Sequence, residues 1–446
     1  MKIVIAGAGE VGFHIAQLLS SEAQNIVLID TNQDVLDYAQ SHIDVLTLKG
    51  DSTSIRTLLE ANVKKADLLI AVTSSGNANI VTAVIGKRLG VAKTIARINK
   101  NEYLAEGIRA DFEKIGIDSL ISPKLLAAKE IYRLIHEAAL TDIYEFENGK
   151  LFLIGMTLEE NSPVIDQTII NTIHLNPDFT FKPIAIQRGS ETIIPRGSTH
   201  LRINDHIYFI TQNSGIDSIE KIMGKEKREM KKIMIFGGSS IGILSAQQLE
   251  KEYQVKLIEI NKDKCLELAE RLNKTLVING DGSNVELLEE EGLSNMDAFV
   301  ALTEDSGKNI ISCLVAKRHN VYKTIALVDN IDYIPLSQTI GVDTLINRKL
   351  IAANEIFRYV RKGRVKAVTS LHGVNAEIIE YEVSDRARIT RYQIKNSNFP
   401  KGAVIGGVIR GEKSYIPFGD FHILAGDKVV VFTLPEELKN VAKFFK

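Results

Sequence analysis

Residues 1–12 read MKIVIAGAGEVG: an apolar run that breaks into Gly7-Ala8-Gly9-Glu10-Val11-Gly12. The phrase returns, altered, at 233–242 as IMIFGGSSIG, with Gly237 standing 230 residues after Gly7. An apolar strand that ends in a glycine turn and opens a helix is one βα unit. Its second appearance organises the rest of the chain. Gly50-Asp51 aligns with Gly280-Asp281, Thr73 with Thr303, Asn79-Ile80 with Asn309-Ile310, and Lys93–Ala96 with Lys323–Ala326. Between 50–103 and 280–333, 17 of 54 positions are identical without a gap. That density of matches means duplication. The register then slips, and Lys124 matches Lys349 within the related phrases SPKLLAAKEI and NRKLIAANEI.

Within each copy the pattern alternates. In the first, strands are expected at 3–6, 25–30, 44–48, 67–73 and 94–98, with helices at 11–20, 33–41, 54–62 and 78–89. The strands are continuous apolar runs, as in parallel sheets covered on both faces. Alternating β and α at this spacing predicts an α/β fold with two doubly wound parallel sheets. Each copy is followed by a segment poor in helix signals, near 140–223 and 366–446. These segments are also related, at an offset of 222. Arg188-Gly189 matches Arg410-Gly411, Ile194-Pro195 matches Ile416-Pro417, Gly197 matches Gly419 and Asp205 matches Asp427. The run KEKREMKK has five basic and two acidic residues and reads as a solvated linker rather than a nucleic-acid patch. The expected order is therefore 1–137, 140–223, a linker at 224–232, 233–362 and 366–446.

Composition narrows the class. The chain has 446 residues, 45% of them apolar and 25% charged, with a net charge of −2. Nothing in that balance draws the whole protein to nucleic acid or anionic lipid. Cys265 and Cys313 offer neither a disulfide framework nor a metal-ligand spacing. A strand from the first residues leaves no room for a signal peptide, and no uncharged apolar run reaches the ~18 residues of a membrane helix. A cytosolic protein is expected, with any membrane connection made through a partner.

The glycine phrase carries the chemistry. Gly7 permits a tight turn, Gly9 lets backbone approach a pyrophosphate, and Gly12 lets helix and strand pack closely. The free N–H groups of the helix start then hold phosphate. Asp30 ends the second strand, 18 residues beyond Gly12. A carboxylate there accepts hydrogen bonds from both ribose hydroxyls and repels a 2′-phosphate, which favours NAD(H) or an adenine nucleotide over NADP(H). Asp51, Ser52 and Thr53 follow the third strand, Thr73 ends the fourth, and Arg97 lies in the fifth. Arg97 reads either as a phosphate clamp or as the partner of Asp51 or Asp118. The second copy departs from this pattern: Ser239 replaces the middle glycine, Leu327 replaces Arg97, and Glu259 takes the place of Asp30. It is expected to bind a nucleotide more weakly, to bind a different one, or to bind none. No catalytic set for hydride transfer, no paired metal spacing, no G-x-S-x-G and no Walker A phrase occurs in the chain.

Two copies of the glycine phrase with GD, VTSS…N and IAR, each followed by R-G…I-P-x-G…D, resemble the TrkA family of potassium-uptake proteins. The modules resemble RCK (also called KTN) N and C domains. The resemblance covers essentially the whole chain, and its specificity lies in the tandem order. It implies two Rossmann-like sheets, each with a small α+β domain behind it. It further implies a non-enzymatic, nucleotide-binding regulatory subunit at the inner face of the plasma membrane. Such a subunit assembles as a homo-oligomeric ring, commonly a tetramer, beneath a TrkH-like potassium-transporting subunit, without nucleic acid. NAD(H) and ATP/ADP are the ligands implied. Carried over by motif, Gly7, Ala8, Gly9, Glu10, Val11, Gly12, Asp30, Asp51, Ser52, Thr53, Thr73 and Arg97 form the first site, and Glu259 and Asp281 belong to the second. The competing readings are an NAD-dependent oxidoreductase, which needs an acid/base the chain does not offer, and a free nucleotide sensor or transcriptional regulator, which needs a helix-turn-helix or a basic face.

Overall fold

The computed structural model describes residues 1–446 apart from 21–24, 137–141, 148, 159, 177, 190, 225–229, 331–332, 334–336, 338–339, 361–364, 371–375 and 446. The first sheet contains β1 (Lys2–Ala6), β2 (Asn25–Asp30), β3 (Leu46–Lys49), β4 (Leu68–Ala71), β5 (Lys93–Arg97) and β6 (Ser119–Ile121). All its pairs are parallel and the order is β3-β2-β1-β4-β5-β6. Every residue of β4 is buried, which explains why an uninterrupted apolar run reads as a central strand. The expected 54–62 helix is shorter, Ile55–Glu60. Asn62 takes a left-handed conformation at φ 57° and turns the chain into the 3-10 segment Val63–Lys65. Gly292 does the same in the second copy at φ 78°. The Gly76–Leu89 helix starts earlier than expected because Ser75 accepts a hydrogen bond from the Ala78 amide.

Next in the chain, β7 (Asp142–Phe146), β8 (Leu151–Thr157), β9 (Phe181–Arg188), β10 (Glu191–Ile193) and β11 (His206–Thr211) form an antiparallel sheet ordered β10-β9-β11-β8-β7. The second copy repeats both layers. Its parallel sheet contains β12 (Lys232–Phe236), β13 (Gln254–Glu259), β14 (Leu276–Asn279), β15 (Ala298–Ala301), β16 (Lys323–Leu327) and β17 (Thr344–Ile346), in the order β14-β13-β12-β15-β16-β17. Its antiparallel sheet contains β18 (Val365–Ser370), β19 (Glu377–Glu382), β20 (Ala403–Arg410), β21 (Lys413–Tyr415) and β22 (Lys428–Thr433), ordered β18-β19-β22-β20-β21.

The repeated R-G and D of the small domains meet in space. The Arg188 guanidinium donates from Nε and Nη2 to the two carboxylate oxygens of Asp205, both at 2.7 Å. Arg410 grips Asp427 in the same way at 2.7 and 2.8 Å. Both aspartates are buried, so a bidentate partner is what makes their charge tolerable. Gly189 and Gly411, at φ 59° and 56°, make the hairpin turn that follows each arginine. The two antiparallel sheets share one apolar core, with Leu151, Ile184, Tyr208 and Ile210 packed among Ile378, Val430 and Phe432.

The chain does not close domain by domain. One compact unit comprises 1–130, 243–245 and 347–360, and the other comprises 131–242, 246–346 and 361–446. The Arg348–Val360 helix, expected within 233–362, thus belongs with the first parallel sheet, whereas 131–136 of the Pro123–His136 helix belongs with the second unit. Within that unit Tyr132 Oη donates to Glu252 at 2.7 Å. The expected linker 224–232 lies largely outside the described residues. Its last part is structured: Asp297 accepts from the amides of Lys231 and Lys232, and β12 begins at Lys232.

Candidate functional site

The order of the first sheet reverses between β1 and β4, and a crevice opens there beyond the carboxyl ends of the strands. It holds a cavity of about 620 Å³. Three glycines shape its floor for different reasons. Gly7 has φ +109°, and a Cβ on it would lie 2.8 Å from the Thr73 amide nitrogen. A Cβ on Gly12 would lie 1.8 Å from the Gly7 carbonyl oxygen. The fold itself requires both glycines. A Cβ on Gly9 would meet nothing within 4 Å. Gly9 therefore leaves open space at the helix start, where a phosphate fits.

Carboxylates set the loops around this space. Asp30 accepts from the Ala8 amide at 2.7 Å and the Asn32 amide at 2.9 Å, which fixes the glycine turn while leaving its carboxylate on the cavity wall. Asp51 accepts from the amide and hydroxyl of Thr53, both at 2.8 Å, and these bonds hold its carboxyl below the usual range. Thr53 thus serves the turn, whereas Asp51 and Ser52 line the cavity. Ser52 Oγ lies 3.1 Å from Thr82 Oγ1 in the interior. Thr73 lines the cavity too, and its hydroxyl donates to Asn79 Oδ1 at 2.7 Å. Its remaining capacity toward a ligand is as an acceptor.

Asn79, which drew notice in the sequence only as a repeated letter, is fully buried and joins two strand ends. Its amide donates to the carbonyls of Thr73 and Arg97 at 3.1 and 2.9 Å, while its oxygen accepts from the Thr73 amide at 2.8 Å. Asn309 repeats the arrangement with Thr303 and Leu327.

Arg97 is the decisive side chain. Of its two suggested partners, Asp51 is held by Thr53, and Asp118 pairs with Lys87 at 2.9 Å and accepts from the Thr94 amide at 2.7 Å. The Nε of Arg97 is buried without a hydrogen-bond partner among the described residues. Burial lowers its pKa, and the neighbouring Arg348 lowers it further. Arg348 and Lys349 also line the cavity, and the Lys349 ammonium pairs with the Glu10 carboxylate. Sequence reasoning missed both cations as site residues, because they stand some 250 residues from Arg97. The signal available was the repeated phrase around Lys124 and Lys349. Half-buried cations that line one cavity with an open helix start form a cradle for a phosphate-bearing anion. In this cradle Gly9 and the Val11–Gly12 turn would face phosphate, Arg97 and Arg348 would neutralise it, and Asp30 would face a ribose.

The second copy places protein groups at the same positions. Ser239 Oγ accepts from the Gly242 amide at 3.2 Å and so caps its own helix. Glu259 accepts from the amides of Gly238 and Asn261, both at 2.9 Å, and lies 3.3 Å from the Lys264 ammonium. Burial would raise its pKa, but these partners hold the carboxyl below its usual range. Phe236 stands where the first copy has Ala6, and its ring covers Gly282, whose Cβ would lie 2.3 Å from it. Asp281 keeps the turn seen at Asp51, accepting from the amide and hydroxyl of Ser283 at 2.9 and 2.7 Å. Leu327 is buried where Arg97 would stand. Among the described residues no group of three His, Cys, Asp or Glu side chains is placed to hold a metal.

Two parallel sheets with glycine turns, each followed in the chain by a small antiparallel sheet, define a tandem RCK-type protein. Residues 3–123 and 233–348 match the TrkA-N domain family, and 153–224 and 378–446 match the TrkA-C domain family. The chain belongs to the TrkA family. It is 32% identical over 455 residues to Trk system potassium uptake protein TrkA homolog 1 of Methanosarcina mazei, each chain covered in full. It is 33% identical over 451 residues to Trk system potassium uptake protein TrkA of Haemophilus influenzae, covering 100% of this chain and 98% of the relative. Among solved structures, a GsuK channel bound to NAD superposes with a TM-score of 0.60 at 16% identity, covering 100% of this chain and 78% of that one.

Proposed function

We propose that the chain is the nucleotide-binding regulatory subunit of a Trk-type potassium uptake system and that the nucleotide binds in the first site. The observation that carries this reading is Arg97: a half-buried guanidinium whose Nε has no hydrogen-bond partner among the described residues, beside Arg348, lining the same cavity as Gly9. A diphosphate supplies the negative charge this arrangement lacks. Asp30 selects a ribose with a free 2′-hydroxyl, so the ligands are NAD(H) and ADP or ATP.

In this reading no bond is made or broken at the site, and the chain is not an enzyme. No described helix is long and apolar enough to cross a membrane, so the transport path belongs to a membrane partner of the TrkH type. The chain works at the cytoplasmic face as a homo-oligomeric ring, a tetramer. Regulation follows from where the cations come from: Arg97 lies in the first parallel sheet and Arg348 in a helix of the second repeat. A ligand held by both shifts the ring between states by its differential affinity for them, and a coupling of about 1–3 kcal/mol gives roughly 5- to 150-fold modulation. Calorimetry of the full chain with NADH, NAD, ADP and ATP tests the binding step. Potassium flux through the reconstituted partner, with wild-type and Arg97→Ala protein, tests the regulation. Equal nucleotide affinity in the two proteins, or flux that ignores nucleotide, would overturn this function.

A further inference from the structure

The first small domain holds a second cavity, of about 270 Å³. Its walls are apolar, built from Val164, Phe181, Leu201, Ile207 and Phe209. The polar groups of Thr172 and Asn176, which also line it, are committed to neighbouring backbone. Its charged lining is Lys182 and Arg196, with no Asp or Glu among the described residues around it. Lys182 Nζ donates to the carbonyls of Ile405 and Pro417 at 3.1 and 3.0 Å and lies 5.5 Å from the centre of the Phe418 ring. Two of its three donors are thereby used, and no carboxylate among the described residues is paired with it. Arg196 Nη2 donates to the Lys401 carbonyl at 2.6 Å.

The duplication isolates this feature. At the offset of 222, Lys182 corresponds to Val404 and Arg196 to Phe418. The second small domain therefore builds the same sheet with apolar residues at both positions. The sheet itself does not require the cations, which instead reach carbonyls of the second small domain, and enclosing them costs desolvation. Consistent with that cost, burial and the nearby Arg196 pull the Lys182 pKa down to about 8.

We propose that this cavity is a binding site for a small monocarboxylate with an apolar body, its carboxylate held by Lys182 and Arg196 and its hydrocarbon part by the Phe181 and Phe209 walls. The cavity is below the size usual for nucleotide-scale ligands. One free lysine donor and one guanidinium match a single, weakly hydrated negative charge. A phosphate dianion demands more donors than these walls provide. The proposal is independent of the nucleotide reading.

The test uses the full chain at pH 7 in a calorimeter, with octanoate, 1-octanol, octylamine and inorganic phosphate as probes. Octanoate is expected to bind once per chain, about tenfold or more tighter than octanol or octylamine. Lys182→Val, which copies the second domain's own residue, is expected to weaken octanoate about tenfold or more while leaving NADH binding unchanged. Arg196→Phe is expected to act in the same direction. Absence of octanoate binding, octanol binding as tightly as octanoate, an unchanged affinity in Lys182→Val, or displacement of octanoate by equimolar phosphate would each overturn the proposal.

Discussion

At the scale of residues, the three glycines of one phrase separate into two kinds. Gly12→Ala drives a methyl group into the Gly7 carbonyl and is expected to cost about 2–3 kcal/mol, read as a lowered midpoint in urea. Gly9→Ala enters open space, so the midpoint should stay put while NADH affinity falls. A Gly9→Ala protein that binds NADH normally would remove pyrophosphate from that space. Arg97→Ala should weaken ADP about tenfold or more and leave adenosine nearly unaffected, because a charge-assisted bond to phosphate is what it loses. Lys182 has a pH signature. Its folded pKa, about 8, lies below the ordinary lysine value of 10.5, so between those values the unfolded chain binds more protons. Stability should therefore rise as pH is raised from 8 toward 10. Lys182→Val should lose that rise, as checked by urea titrations at pH 7.5 and 9.5. Gly7, Asp30 and Arg97 were legible in the sequence because a local motif names them. Asp30's second task, accepting from the Ala8 amide, was not, since it depends on how the turn folds back.

Among elements, the contrast lies between two helix starts. In the first copy the helix presents its amides to open space; in the second, Ser239 satisfies one of them. Ser239→Ala should cost about 1 kcal/mol as a lost cap, measured by thermal or chemical melting, and should not create a second nucleotide site. A stoichiometry rising to two nucleotides per chain would show that the serine alone closes the second copy; Phe236 and Leu327 argue against that. From sequence alone Ser239 stands where a pyrophosphate would approach; the geometry shows that it caps its own helix. The small domains teach a related lesson. R-G and D were visible as a spaced repeat, but spacing does not reveal that two letters 17 residues apart form one bidentate pair. Asp205→Ala leaves Arg188 without that pair and should destabilise the protein by about 3 kcal/mol.

For the whole molecule, the alternation of strands and helices was readable because each parallel strand is a buried apolar run. The path of the chain between units was not. Nothing local in NRKLIAANEI announces that its first residues complete a site begun at residue 7, because packing of the Arg348–Val360 helix against the first unit is a long-range choice. This placement has a hereditary consequence. A gene recombined between its two halves with a relative's would keep every motif of the first repeat and still receive foreign residues at 348 and 349. On the proposed function, ligand preference would then travel with the second half, although the glycine phrase, Asp30 and Arg97 all lie in the first. The repeats have become one inheritable unit, joined at the cavity that both line rather than at the basic stretch that links them.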